Sequence, residues 1–68
     1  MHLRIELEQE EDGRWLAEVP ALPGVLAYGA TRAEAVQQVK TLSLRVLADR
    51  VEHGEWLPET DDLFAVAA

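Results

Sequence analysis

Apolar residues along this 68-residue chain change their spacing once, at Thr31. Before that point they alternate with polar residues; after it they recur every three or four positions. Over residues 2–8, Leu3, Ile5 and Leu7 fall on one side and Arg4, Glu6 and Glu8 on the other, the period-two pattern of a half-buried strand. Residues 14–19 repeat it, with Trp15, Ala17 and Val19 on one face and Arg14, Leu16 and Glu18 on the other. Between the two runs, Glu10-Glu11-Asp12-Gly13 supplies turn chemistry, because Asp-Gly tolerates the positive φ that a tight hairpin needs. The two strands are therefore expected to pair antiparallel.

Pro20 closes the second strand by removing a ladder donor. In Leu22-Pro23-Gly24-Val25, proline presets φ at the second turn position and glycine accepts positive φ at the third, the type II arrangement. Residues 25–30 then read as a third strand, with Gly29 marking a bulge or a close approach of another backbone. The first half of the chain is thus a three-stranded meander.

Thr31-Arg32-Ala33-Glu34 fits a capping box, with the Thr31 hydroxyl accepting from the Glu34 N–H and the Glu34 carboxylate reaching back. Beyond it Val36, Val39, Leu42, Val46, Leu47 and Val51 recur at helical spacing, while Glu34, Gln38, Thr41, Arg45, Asp49 and Glu52 take the opposite side. Gly54 is placed to stop the helix, with Arg50 and His53 near the negative end of its dipole. Some twenty residues at about 1.5 Å each give a helix of roughly 30 Å, enough to cover a small sheet diagonally. Trp56, Leu57 and Pro58 follow as an apolar patch, then an acidic loop, and residues 63–67 can supply a fourth strand. The expected architecture is one α+β domain over residues 1–68: a three-stranded antiparallel meander, one long amphipathic helix and a fourth strand, β-β-β-α-β.

So small a chain has a marginal core, and with no cysteine it has no disulfide or thiolate metal site to reinforce it. Good packing and oligomerisation remain, and a homodimer or higher oligomer is expected. The formal net charge is −7, with acids crowded at Glu8, Glu10, Glu11 and Asp12 and again at Glu55, Glu59, Asp61 and Asp62. Phosphate backbones would be repelled by such a surface, so direct nucleic-acid binding is not expected, whereas a basic protein would be attracted. The alternating start MHLRIELEQE matches neither a signal peptide nor a membrane span, so the cytoplasm is the expected location and no membrane partner is expected.

The inventory of reactive groups is poor. Ser43 falls in the buried stripe, and His2 and His53 sit at opposite ends of the chain. Asp61 and Asp62 are adjacent in a loop, where neighbouring carboxylates point apart and are solvated rather than gathered on a metal. A two-metal nuclease would need carboxylates clustered on neighbouring strands, and the strands offer mainly Glu6 and Glu18. No enzyme activity, metal or cofactor is expected.

Asp12-Gly13, Trp15, Pro20-Ala21-Leu22-Pro23-Gly24, Gly29, Thr31 and Glu34-Ala35, in that order, resemble the HicB-like antitoxin family over residues 5–53. The resemblance implies a β-β-β-α-β domain, a partial and catalytically dead ribonuclease H-like fold. It also implies binding to a small basic toxin that cleaves mRNA, with masking of the toxin's active site. Full-length relatives commonly add a helix-turn-helix or ribbon-helix-helix module for autorepression; the matching stretch contains none, so autorepression by this stretch alone is not expected.

Read from the residues themselves, the turn glycines and prolines serve backbone geometry, and function falls to surfaces. The second sheet face carries Leu16, Leu26 and Tyr28, too apolar for ordinary solvent surface if the helix covers the other face. Candidate partner-binding residues are Trp15, Leu16, Leu22, Leu26, Tyr28, Asp61 and Asp62. Two readings stay open: an antitoxin-like binder of a basic toxin, and a stand-alone homodimer serving another protein interaction. In the second, an identical subunit or the chain's own tail covers the apolar face.

Overall fold

In the computed structural model, which describes residues 2–55 and 64–67, three strands precede one helix. They are β1 (Glu6–Gln9), β2 (Trp15–Glu18), β3 (Leu26–Gly29) and α1 (Arg32–Glu52). The sheet order is β1-β2-β3, antiparallel throughout, with Leu7 opposite Ala17 and Ala17 opposite Ala27. The α+β meander with its long helix is as the alternation implies.

Each strand is shorter than its apolar alternation. For β1 the cause lies across the ladder. Glu10 N–H donates to the Arg14 carbonyl at 2.7 Å, so the hydrogen-bonded pairs run through Glu8 and Leu16 and then Glu6 and Glu18. Arg4 and Pro20 would come next, and Pro20 has no N–H to give. The Val19 N–H is already donated to the Val25 carbonyl at 3.1 Å, which folds the chain into its next turns.

The β1–β2 connection closes with Gly13 N–H on the Glu10 carbonyl at 3.0 Å, and Gly13 alone takes positive φ, +92°. That is the three-residue hairpin loop in which a left-handed glycine follows a turn. Two turns sharing Leu22 join β2 to β3: Leu22 N–H bonds the Val19 carbonyl at 2.9 Å, and Val25 N–H bonds the Leu22 carbonyl at 3.0 Å. Gly24 sits at φ +86°, as a type II turn requires. The paired turns fold the Leu22 side chain inward, where it is fully buried.

Ala17, Val19, Leu22, Val25, Ala35, Val39 and Leu47 form the core, with Leu3, Ile5, Leu7, Trp15, Ala27, Leu42 and Val46 packed around it. Small residues face each other where α1 meets the sheet. A Cβ on Gly29 would overlap the Ala35 amide nitrogen and stand 2.9 Å from the Ala35 Cα, so the glycine is there for close strand–helix approach. Of the two roles its place in the strand suggests, it takes this one: pairing through Trp15 and Gly29 is one-to-one, with no bulge.

Thr31 caps α1 by accepting the Glu34 N–H at 3.1 Å. Among the described residues the reciprocal bond from the Glu34 carboxylate is not made, so half of the capping box forms. At the other end Gly54 N–H reaches the Val51 carbonyl at 3.1 Å and Glu55 N–H the Arg50 carbonyl at 2.9 Å, with Gly54 at φ +70°, a Schellman termination.

Two expectations are corrected. Val51 continues the row Ala35, Val39, Ser43, Leu47 at i, i+4 spacing, yet it is 55% exposed. The 21-residue helix is about 31 Å long, whereas four-residue strands span about 14 Å, so α1 runs past the sheet. Residues 64–67 carry no regular structure, and the fourth strand expected over 63–67 is absent among the described residues. Phe64 and Val66 are 74% and 98% exposed, with no ladder partner among the described residues. Leu63 and the patch Trp56, Leu57, Pro58 lie outside the described residues.

Candidate protein-binding face

With α1 on one side of the sheet, the ladder register decides what the other side shows. Glu8, Leu16 and Tyr28 are aligned in one cross-strand row, and Glu6, Glu18 and Leu26 in the next. Apolar side chains therefore gather toward β3 and carboxylates toward β1. Leu26 and Tyr28 are 43% and 44% exposed, and Leu16 between them is half-buried. A shallow hollow of about 70 Å³ lies among Glu6, Leu7, Glu8, Leu16 and Glu18.

Two cations stand on this face: the Arg4 guanidinium, 3.3 Å from the Glu6 carboxylate, and Arg14. The Arg14 guanidinium stands 4.7 Å from the centre of the Tyr28 ring, and its Nε donates to the Asp12 carboxylate at 2.7 Å. Asp12 also accepts the Arg14 backbone N–H at 3.0 Å. These bonds, the backbone one foremost, hold the Asp12 carboxyl below its ordinary pKa. Stacking of this kind contributes about 0.5–1 kcal/mol at an exposed site.

Leu16, Leu26 and Tyr28 are thus brought together. Trp15 is not with them: it lies on the opposite face, half-buried against the core. Leu22 is a core residue with no exposed surface to offer a partner. Asp61 and Asp62 lie outside the described residues. Arg14 and the carboxylate rim were not singled out from the sequence, although counting back from the Asp12-Gly13 turn would have placed Glu6, Glu8 and Glu18 beside Leu16 and Leu26.

Ser43 is 5% exposed and its hydroxyl donates to the Val39 carbonyl at 2.7 Å, so its proton is engaged within the helix. Among the described residues no three His, Cys, Asp or Glu side chains are grouped to hold a metal, and no helix is long and apolar enough to cross a membrane.

UPF0150 protein Ta0767 of Thermoplasma acidophilum is 31% identical to this chain over 58 residues, which cover 85% of this chain and 84% of that protein. The chain belongs to the UPF0150 family. The match takes in most of both chains. No protein-family model matches the chain, and no solved structure matches it.

Proposed function

We propose that this UPF0150 chain is a non-catalytic protein-binding domain that presents its outer sheet face to a small basic partner, as HicB-like antitoxins do toward mRNA-cleaving toxins. The observation that carries this reading is the row arrangement: Leu16, Leu26 and Tyr28 contiguous and rimmed by Glu6, Glu8 and Glu18. An apolar centre gives affinity, and the acidic rim draws in a cationic partner and sets its orientation. The net charge of −7 acts in the same direction at longer range and disfavours nucleic acid. The motif order from Asp12-Gly13 to Glu34-Ala35 adds the HicB-like resemblance. A cytoplasmic location accompanies this reading, since the mRNA-cleaving partner it implies works there.

The test is calorimetric titration of the purified chain with the product of the adjoining reading frame, where that product is short and basic. Leu26→Glu, on the outer face, is expected to weaken binding by at least about thirtyfold, and to restore RNA cleavage by the partner, while Leu44→Glu on the helix leaves both unchanged. Equal binding by the Leu26→Glu variant would overturn the proposal.

A second reading, a homodimer serving another protein interaction without a toxin, is favoured by a separate observation. Leu44 is 66% exposed on α1, so apolar surface is also uncovered away from the outer face.

A further inference from the structure

The outer face of the sheet is polarised across its strands. Its carboxylates, Glu6, Glu8 and Glu18, stand on β1 and β2, whereas the Arg14 guanidinium leans the other way, over the Tyr28 ring of β3. The cation thus sits at the apolar end of the face and not among the acids.

Two contacts draw it there. Its Nε donates to the Asp12 carboxylate at 2.7 Å, and the Tyr28 ring lies 4.7 Å below. Each contact is weak at an exposed site, but both favour the same placement, so less freedom is left to lose when a further bond forms. Asp12 spends one oxygen on the Arg14 backbone N–H and the other on Nε. Among the described residues the guanidinium engages only its Nε–H, and the N–H groups of both Nη atoms have no partner there. The side chain is 57% exposed, so those donors are open to a bound protein. A pre-placed guanidinium with both Nη groups free best fits a carboxylate, gripped through two parallel N–H···O bonds. Arg4 differs, because its Nη2 already meets Glu6 at 3.3 Å.

We propose that Arg14 orients the partner on this face by taking one carboxylate, an Asp or Glu side chain, of the otherwise basic protein that the face receives. The inference rests on the reading of the outer face given above and deepens it. The partner's cations meet Glu6, Glu8 and Glu18 while one of its acids meets Arg14, so the reversed orientation sets like charges together at both ends. The sign of the effect separates this from attraction by net charge. Without the Arg14 charge the chain is one unit more negative than −7, which by long-range attraction alone would tighten a basic partner; a lost carboxylate contact weakens it.

The test is a calorimetric titration with the product of the adjoining reading frame, where that product is short and basic. Arg14→Met keeps an unbranched stem beside the Tyr28 ring and drops the charged donors. It is expected to weaken binding by about tenfold with an unchanged far-UV spectrum. Among partner variants with one Asp or Glu changed to Asn or Gln, one is expected to lose as much, and to lose nothing further against Arg14→Met. Such coupling marks a direct pair, which a merely structural role for Arg14 would not produce. Unchanged or tighter binding by Arg14→Met, or losses that add for every partner acid, overturns the inference; if Leu26→Glu still abolishes binding, the reading of the face stands without it. A parent chain that does not bind overturns both. In the free chain, the Arg14 side-chain protons are expected upfield of their positions in Tyr28→Leu, and equal shifts overturn the inference at its premise.

Discussion

Replacing Gly29 by alanine puts the smallest possible side chain at the tightest point of the fold. Gly29 is not among the positive-φ glycines, so alanine meets no backbone strain there. With open space around it, the change would stabilise the protein by about 0.4–1 kcal/mol, since alanine loses less conformational freedom on folding. The space is not open. The added Cβ would overlap the Ala35 nitrogen and lie 2.9 Å from both the Ala35 Cα and the Glu34 carbonyl carbon. Carbon atoms in contact stand about 3.5–4.0 Å apart, so the start of α1 must retreat by about 0.6 Å or more. The obstructing atoms are backbone and cannot swing aside. Ala35 N–H is also tied to the Thr31 carbonyl at 3.0 Å, so the whole first turn moves and lifts Ala35 and Val39, both fully buried, off the sheet.

Overpacking by one methyl group costs about 1–3 kcal/mol, and loosening two core residues places the expected value near the top of that range, about 3 kcal/mol. A 68-residue domain has roughly 3–10 kcal/mol in all, so the loss is a large share of the total. Thermal unfolding followed by circular dichroism should show a fall in Tm of at least about 10 °C, taking 4–8 °C per kcal/mol. A Tm equal to or above that of the parent would refute the reasoning, because the sign itself depends on the contact.

Gly24→Val acts by a different route: a Cβ there meets nothing within 4 Å, but φ is +86°, so the cost is backbone strain of about 1–3 kcal/mol, read as a lower urea midpoint with unchanged slope. Thr31→Ala removes the acceptor for the Glu34 N–H and should cost about 1 kcal/mol by the same denaturation measurement. The Arg14 amide resonance should titrate with the Asp12 carboxylate, at a midpoint below that carboxyl's ordinary 3.8. With a lowered pKa in the folded state, the turn's contribution to stability is present above the unfolded value and is lost as pH falls through the folded one; a midpoint at or above 3.8 would contradict the two Arg14 bonds.

The elements most legible in the sequence are those set by neighbours in the chain. The change of period at Thr31, the Thr31 cap, the Gly24 turn and the Gly54 stop each rest on residues within five positions of one another, and each is found where the sequence places it. What depends on distant partners was less legible. The length of β1 is limited by Pro20, just beyond the end of β2. Leu22, in a turn motif that reads as surface, is buried because two consecutive turns share it. Val51 follows the apolar stripe but has no sheet beneath it. The outer face was legible in part: alternation alone gathers Leu16, Leu26 and Tyr28, whereas Arg14 over the Tyr28 ring and the carboxylates beside Leu16 depend on cross-strand register. Trp15 shows the converse, a bulky aromatic that suggests a binding anchor until the register places it on the core side.

The claim that the outer sheet face receives a basic partner is tested most directly by mapping the partner's footprint. With the chain isotopically labelled and titrated with the product of the adjoining reading frame, where that product is short and basic, amide and methyl resonances report each surface separately. The expected result is that Leu16, Leu26 and Tyr28, with the Arg14 side chain, shift or broaden in proportion to partner added, while Val39, Leu44 and Leu47 of α1 stay in place. Shifts confined to α1, with Leu26 and Tyr28 unmoved, would contradict it.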